Sequence, residues 1–343
     1  MSTVEFVYRA LPVRVRFASG AAARNLAAEV AELGLVRLMV IAGAPSADEV
    51  TREVADRVVV RFDDVRPHVP VDVAEAARRA AALHSVDGLV TVGGGSTTGT
   101  GKAVALTTGL PLVCVPTTYA GSEVTAVWGT TSAARKQTGR DDRVLPRAVV
   151  YDPDLTATLP RPFAVSSALN AVAHCVEAFW APGANPVTSL VAAEGIRVLA
   201  AGLRASGAAQ REQLLYGSYL AGSAFAVAGS GLHHKICHAL GGAFNLPHAE
   251  THAAVLPHVL AFNLAAAPDA GRAIAGALGA DDAVAGLQAL YRQVGAVADL
   301  RSVGFPLDRL DEAVTAVCEL LPIPNPRPVD AGAVERILRA ACA

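Results

Sequence analysis

The sequence predicts an α/β dinucleotide-binding domain over residues 1–155 and an all-α domain over 156–343. Three observations carry this reading. Short apolar runs alternate with Ala-rich helical stretches up to about Asp154. Beyond it the β-branched runs stop, and apolar residues recur at helical spacing. A glycine cluster, Gly93-Gly94-Gly95-Ser96, follows one of the apolar runs directly.

In chain order, VEFVY and VRVRFA read as β-type runs that pair as a hairpin. An Ala-rich helix follows over 21–33. Then come a strand at 37–42, a helix after Ser46, a strand at 57–62 and a helix over 72–84. The runs DGLVTV (87–92) and LPLVCV (110–115) are continuously apolar, as strands buried on both faces must be. Strand, helix and strand in this order give a parallel sheet. A polar insertion, KQTGRDDR (136–143), precedes a last strand at 147–153. The second half reads as helices, broken by GFP at 304–306 and PIPNPRPVD at 322–330. There is no internal repeat and no low-complexity linker, so the halves are expected to pack directly around a ligand cleft.

Composition removes several classes. With 343 residues, 52% of them apolar and 17% charged, the chain is not a disordered protein. A net charge of −2 gives no reason to expect nucleic acid or an anionic membrane as partner. No uninterrupted apolar run reaches the length of a membrane span. Arg9, Arg14 and Arg16 interrupt any signal-peptide core. Five scattered cysteines without a CxxC pair predict reduced thiols and a cytoplasmic location. Cys237 reads as a small core residue rather than a nucleophile.

The strand running into GGGSTTGTGKA places bare backbone N–H groups and a helix start at one sheet edge, a geometry that binds phosphate. Gly94, Gly95, Ser96 and Thr97 are the candidate contacts. The next strand ends in PTTYAGSEVT, so Thr117, Thr118 and Ser122 form a second polar lip. Two lips at adjacent strand ends predict a dinucleotide across the top of the sheet.

Six of the nine histidines fall between Gly231 and His258: His233, His234, His238, His248, His252 and His258. Imidazoles in such number point to proton transfer or metal coordination. His234 and His238 are four apart and share a helix face, as do Asn170 and His174. His252 and His258 read as structural. A divalent metal would want a carboxylate beside its imidazoles, and Asn170 is a poor substitute because its amide is neutral.

These motifs resemble those of the iron-containing (group III) alcohol dehydrogenase family, whose architecture the dehydroquinate synthases share. The resemblance runs over nearly the whole length and rests on GGGS after a strand, PTT…GSEVT, KQTGR, YDPDLTATLP, and H-x3-H followed by x9-PH. It implies a ligand set at Asn170, His174, His234 and His248, with His238 as a neighbouring proton-transfer residue and Lys136 on the nicotinamide side. GGGSTTGTGKA, PTTYAGSE, Asn170 in place of Asp, GLHHKICHALGG, LPHAETHAAVLPH and PNPRPV resemble one branch more closely, the maleylacetate reductases. That branch implies reduction of maleylacetate to 3-oxoadipate with NADH or NADPH, no bound metal, and a cytoplasmic homodimer. Lys235, Tyr119 and Arg327 are the candidates for binding its dianionic substrate. Gly43 stands where many members carry an Asp facing the adenosine ribose, so NADPH is expected beside NADH.

Overall fold

The computed structural model describes residues 5–132, 135–297 and 299–343, and the side chains of Arg135 and Lys136 lie outside the described ones. The chain forms two compact units, Leu11–Leu159 and Pro160–Ala343, the latter joined by residues 5–10. The division falls four residues beyond the 155/156 boundary expected from sequence.

The first unit runs β1 (Arg14–Phe17), α1 (Ala22–Glu32), β2 (Leu38–Ala42), α2 (Ala47–Thr51), β3 (Val58–Phe62), α3 (Val71–Leu83), β4 (Gly88–Gly93), α4 (Gly95–Thr108), β5 (Leu112–Pro116), β6 (Val127–Ser132), β7 (Arg135–Arg140) and β8 (Ala148–Tyr151). Six strands make one parallel sheet in the order β1-β8-β5-β4-β2-β3. Every residue of β2, β4 and β5 is buried. That is why these runs are apolar throughout rather than alternating.

One local expectation is corrected. The N-terminal runs make no hairpin: β1 pairs in parallel with β8, Arg14 opposite Ala148. The polar insertion belongs to a ribbon: β6 and β7 pair antiparallel from Val127–Arg140 to Ser132–Arg135. Its exposed face needs no apolar alternation, so the local pattern hides it.

Asp152 ties the ends of this unit together. Its carboxylate accepts from Gly20 N at 2.9 Å, Ala22 N at 3.0 Å and Asp154 N at 3.0 Å. Helix α1 has no side-chain cap of its own, so a carboxylate 130 residues downstream supplies the missing acceptor.

The second unit is helical: α5 (Arg161–Ala178), α6 (Pro186–Arg204), α7 (Gly207–Ala228), α8 (Leu232–Phe244), α9 (His248–Leu264), α10 (Pro268–Leu278), α11 (Ala283–Val294), α12 (Leu310–Cys318) and α13 (Ala331–Ala341). Helix α6 starts on a capping box, with Asn185 and Thr188 bonding reciprocally and Pro186 at its first position. By length and composition it would suit a membrane span, yet half of that window is buried in the bundle. Helix α5 is buried without interruption from Val165 to Ala178. Its polar side chains Asn170, His174 and Glu177 stand at i, i+4 and i+7, on one face. A buried polar stripe on a central helix must be satisfied by what packs on it.

Candidate active site

In the α/β unit, β2 leads to β3 on one side of the sheet and β4 leads to β5 on the other. The crevice between β2 and β4 is therefore a topological switch point, where open α/β sheets bind ligands. Gly43 follows β2 and Gly93 ends β4, and Gly43 N donates to Val92 O at 2.9 Å. Helix α4 begins at once with Gly94 as its N-cap and no acidic residue in its first turn. The free amides of that turn suit a phosphate. Gly94 lies under Thr118, with a Cβ built there only 2.9 Å from the Thr118 methyl. Thr117 N donates to Gly93 O at 3.1 Å, which holds the β4 and β5 ends together. Ser96, Thr118 and Ser122 are half-buried at this edge, and Thr117 is buried.

Thr97 corrects one expectation. Its side chain is 2% exposed, and a Cβ added at either Gly43 or Gly93 would run into its hydroxyl. Only its backbone amide, at the helix start, remains to face a ligand. Gly43 is thus a packing requirement of Thr97.

Lys102, in the same helix, was assigned no role from sequence. Its ammonium donates to Ser122 O, Thr125 O, Thr125 Oγ1 and Val127 O at 2.7–2.9 Å. It is 1% exposed, and burial pushes its pKa down to about 8. It fixes the segment carrying Ser122 against α4. Tyr119 is likewise internal, 2% exposed, its hydroxyl donating to Thr156 Oγ1 at 3.2 Å. This places its ring in the core of the α/β unit rather than at a substrate. Lys136 lies outside the described side chains.

In the helical unit, α5, α8 and α9 bring the histidines together. The His174 and His234 rings stack with centroids 5.0 Å apart, and Phe225 packs on both. His238 stands 6.0 Å from His234 and 6.1 Å from His248, centre to centre. His248 is the first residue of α9 and is exposed, while His238 is half-buried. Asn170 is 3% exposed. Asn170 Oδ1, His174 Nδ1 and His234 Nε2 have no hydrogen-bond partner among the described residues. Buried polar atoms of this kind call for a ligand or water.

Glu177 is the residue that the sequence did not reveal. Its carboxylate accepts from Gly231 N at 2.9 Å and His233 N at 2.7 Å, and pairs with His234 Nδ1 at 2.6 Å. It caps α8 from another helix. Gly231 at the N-cap lets it approach, since a Cβ there would sit 3.0 Å from Glu177 Oε1. Burial pushes Glu177 up and His234 down to about 3, so the imidazole is no standing cation. With the shared proton on Nδ1 facing the carboxylate, Nε2 would present a lone pair. Burial also pushes His174 well below the ordinary value and His233 down to about 3. The inner layer is a set of neutral imidazoles.

Two cationic candidates separate. Lys235 is half-buried, has no ion-pair or hydrogen-bond partner among the described residues, and lies close enough to lower the His234 pKa further. It remains available to an anion. Arg327 is corrected: its guanidinium lies over the Phe262 ring at 4.1 Å and donates to Phe262 O at 3.1 Å. It clamps the PNPRPV turn, together with the paired amides of Asn263 and Asn325.

A family model for iron-containing alcohol dehydrogenase matches residues 12–153, and one for the C-terminal part of the Fe-containing alcohol dehydrogenase family matches 164–342. The chain belongs to the iron-containing alcohol dehydrogenase family. It is an oxidoreductase, and its architecture is that of the group III enzymes. It is 44% identical to a maleylacetate reductase of Burkholderia cepacia over 98% of this chain and 97% of that one. A solved iron-containing alcohol dehydrogenase of Corynebacterium glutamicum superimposes with a TM-score of 0.95 at 49% identity, covering 99% and 98% of the two chains. A maleylacetate reductase of Agrobacterium tumefaciens gives 0.93 at 38% identity, covering 99% of each. Of the ligand positions the family resemblance implies, Asn170, His174 and His234 lie on the buried faces of α5 and α8, and His248 opens α9.

Proposed function

We propose that this chain reduces maleylacetate to 3-oxoadipate with NADH or NADPH, without a resident metal. The observation that carries this reading is the charge of the donor set, three of whose members are buried and the fourth, His248, exposed. Asn170, His174, His234 and His248 are an amide and three imidazoles, none of them anionic. The carboxylate beside them, Glu177, is already engaged by two backbone amides and His234 Nδ1. A divalent ion held by these four would find no ligand charge to offset its own, because the neutral Asn170 amide stands where a carboxylate would supply it. The set does not fit a tightly held metal, and no step is routed through one. The names of the relatives support the substrate.

The chemistry then falls to the side chains. Hydride from the reduced nicotinamide adds to the alkene carbon β to the ketone. The π electrons move onto the ketone oxygen as an enolate, and a proton is delivered to the α carbon. The enolate oxygen needs hydrogen-bond donors. His234 Nε2 offers a lone pair and serves a proton-bearing partner instead. The Asn170 amide can turn its NH2 toward the oxygen, which an aspartate could not do. His238, half-buried rather than sealed, is the proton donor. Lys235 takes a substrate carboxylate. Gly43 leaves the adenosine ribose without a facing carboxylate, which admits the 2′-phosphate of NADPH.

The test is NADH loss with maleylacetate, with and without EDTA, beside metal analysis of the same protein. Unchanged turnover and no stoichiometric metal are expected. One equivalent of iron or zinc with EDTA-sensitive activity would favour a metal-dependent alcohol dehydrogenase instead.

A further inference from the structure

Behind the layer of Asn170, His174, His234 and His248 lies a second one, built from His233, Cys237 and His252. His233 and Cys237 are four apart on α8, and His252 is four beyond His248 on α9. All three are buried, the two imidazoles at 0% exposure. Their ligand atoms lie within 4.8 Å of one another, a span that a metal could bridge. However, His233 Nε2 and His252 Nδ1 are already hydrogen-bonded at 2.9 Å, and burial raises the Cys237 thiol well above its ordinary range. The layer is a made contact rather than an open ligand set.

The other nitrogen of His252 is different. Nε2 is buried and has no partner among the described residues. The ring to which it belongs is the hub of the cluster: His248 is 4.4 Å away, His234 4.7 Å and His238 6.2 Å, between centroids. A fully buried imidazole nitrogen without a partner is costly unless a ligand completes it.

We propose that His252 is a substrate-contacting residue, its Nε2–H donating to a carboxylate or enolate oxygen of the substrate, and that His233 is the positioning residue holding it. The inference rests on the maleylacetate reading above. Two tautomer patterns satisfy the His233–His252 bond. In one, His233 Nε2–H donates to His252 Nδ1, which puts the His252 proton on Nε2. In the other, His252 Nδ1–H donates to His233, which leaves a lone pair on His252 Nε2 and an unsatisfied N–H at His233 Nδ1. An anionic oxygen at His252 Nε2 selects the first pattern, because it completes that donor and leaves no buried N–H orphaned. The donor is therefore an imidazole oriented by a second one.

Amide replacements test which nitrogen matters. Gln places its amide near the position of Nε2, and Asn places it near Nδ1. His252→Gln, His252→Asn and His252→Ala are compared by steady-state NADH loss with maleylacetate. Thermal melting and NADH binding serve as checks of integrity. His252→Gln is expected to stay within about 10-fold of the parent kcat/KM, and Asn and Ala to lose about 100-fold or more with NADH affinity unchanged. Asn rescuing as well as Gln, or Ala staying within about threefold of the parent, overturns the inference. If a position-252 variant does not fold, His233→Gln against His233→Ala decides. Gln, which can still donate to His252 Nδ1, should retain activity that Ala loses, and equal activities would overturn the inference. A parent protein with no maleylacetate-dependent NADH loss would instead sink the functional reading, and the inference with it.

Discussion

The neutral histidine layer makes the helical unit acid-labile. His174, His233, His234 and His252 are buried, and burial holds each folded-state pKa below the ordinary 6.5, to about 3 for His233 and His234. The sign follows from proton counts: below 6.5 the unfolded chain binds protons that the folded chain refuses. Stability is thus present above the unfolded pKa and is lost as pH falls toward the folded values. One pH unit below the unfolded value, each such residue costs about 1.4 kcal/mol, so the four together cost about 5 kcal/mol. For a unit of this size, that lowers the melting temperature by about 10–20 °C between about pH 7.5 and about pH 5.5. Glu177 works the other way, because burial raises it, and it flattens the slope at the acid end. Urea unfolding across this range measures the free energy directly, and its pH slope counts the protons taken up. His252→Gln should reduce that count by about one. A midpoint that stays flat from about pH 7.5 to about pH 5.5 would refute the neutral-layer argument.

Three other perturbations separate structural from chemical roles. Glu177→Gln keeps one oxygen for Gly231 N and His234 Nδ1 but turns an NH2 toward His233 N. A loss of about 2–4 kcal/mol in unfolding free energy is expected, together with a lower kcat, and unchanged melting would contradict the remote cap. Gly43→Asp should weaken both NADH and NADPH because its Cβ meets the Thr97 hydroxyl. Adding Thr97→Ala should restore NADH binding and disfavour NADPH, as fluorescence titration of each cofactor will report. Arg327→Ala should cost about 1–2 kcal/mol of stability from the lost Phe262 contacts while KM for maleylacetate stays near the parent value. A KM increase of about 10-fold or more would return Arg327 to the substrate.

What could be read in the sequence followed from local geometry. Buried strands must be apolar throughout, so β2, β4 and β5 stand out at their true positions, and the glycines after β4 fall at the sheet edge as expected. Imidazoles at i and i+4 share a face, so Asn170 with His174 and His234 with His238 were legible as pairs. What escaped depends on partners far along the chain. The register of β1 is set by β8, 134 residues away at Arg14–Ala148, and no local pattern encodes that pairing. Glu177 looks like a stray charge near the end of an apolar helix, and its meaning comes from Gly231, His233 and His234, 54 to 57 residues on. The neighbours of Tyr119 and Arg327 escape the sequence for a related reason. A polar tip on a large side chain suits a ligand or a neighbour equally well, and direction is a tertiary fact. One signal of Glu177 is local. An ionisable residue within an otherwise apolar helical run has to be paired when the run is buried. With Asn170 and His174 already on that face, Glu177 at i+7 was bound to meet the same partners. The same rule applies to His252, which continues the face of His248 by one turn. In a family whose site is named for a metal, the residues that hold the imidazoles in place are found by asking which buried charges and ring nitrogens have no local partner.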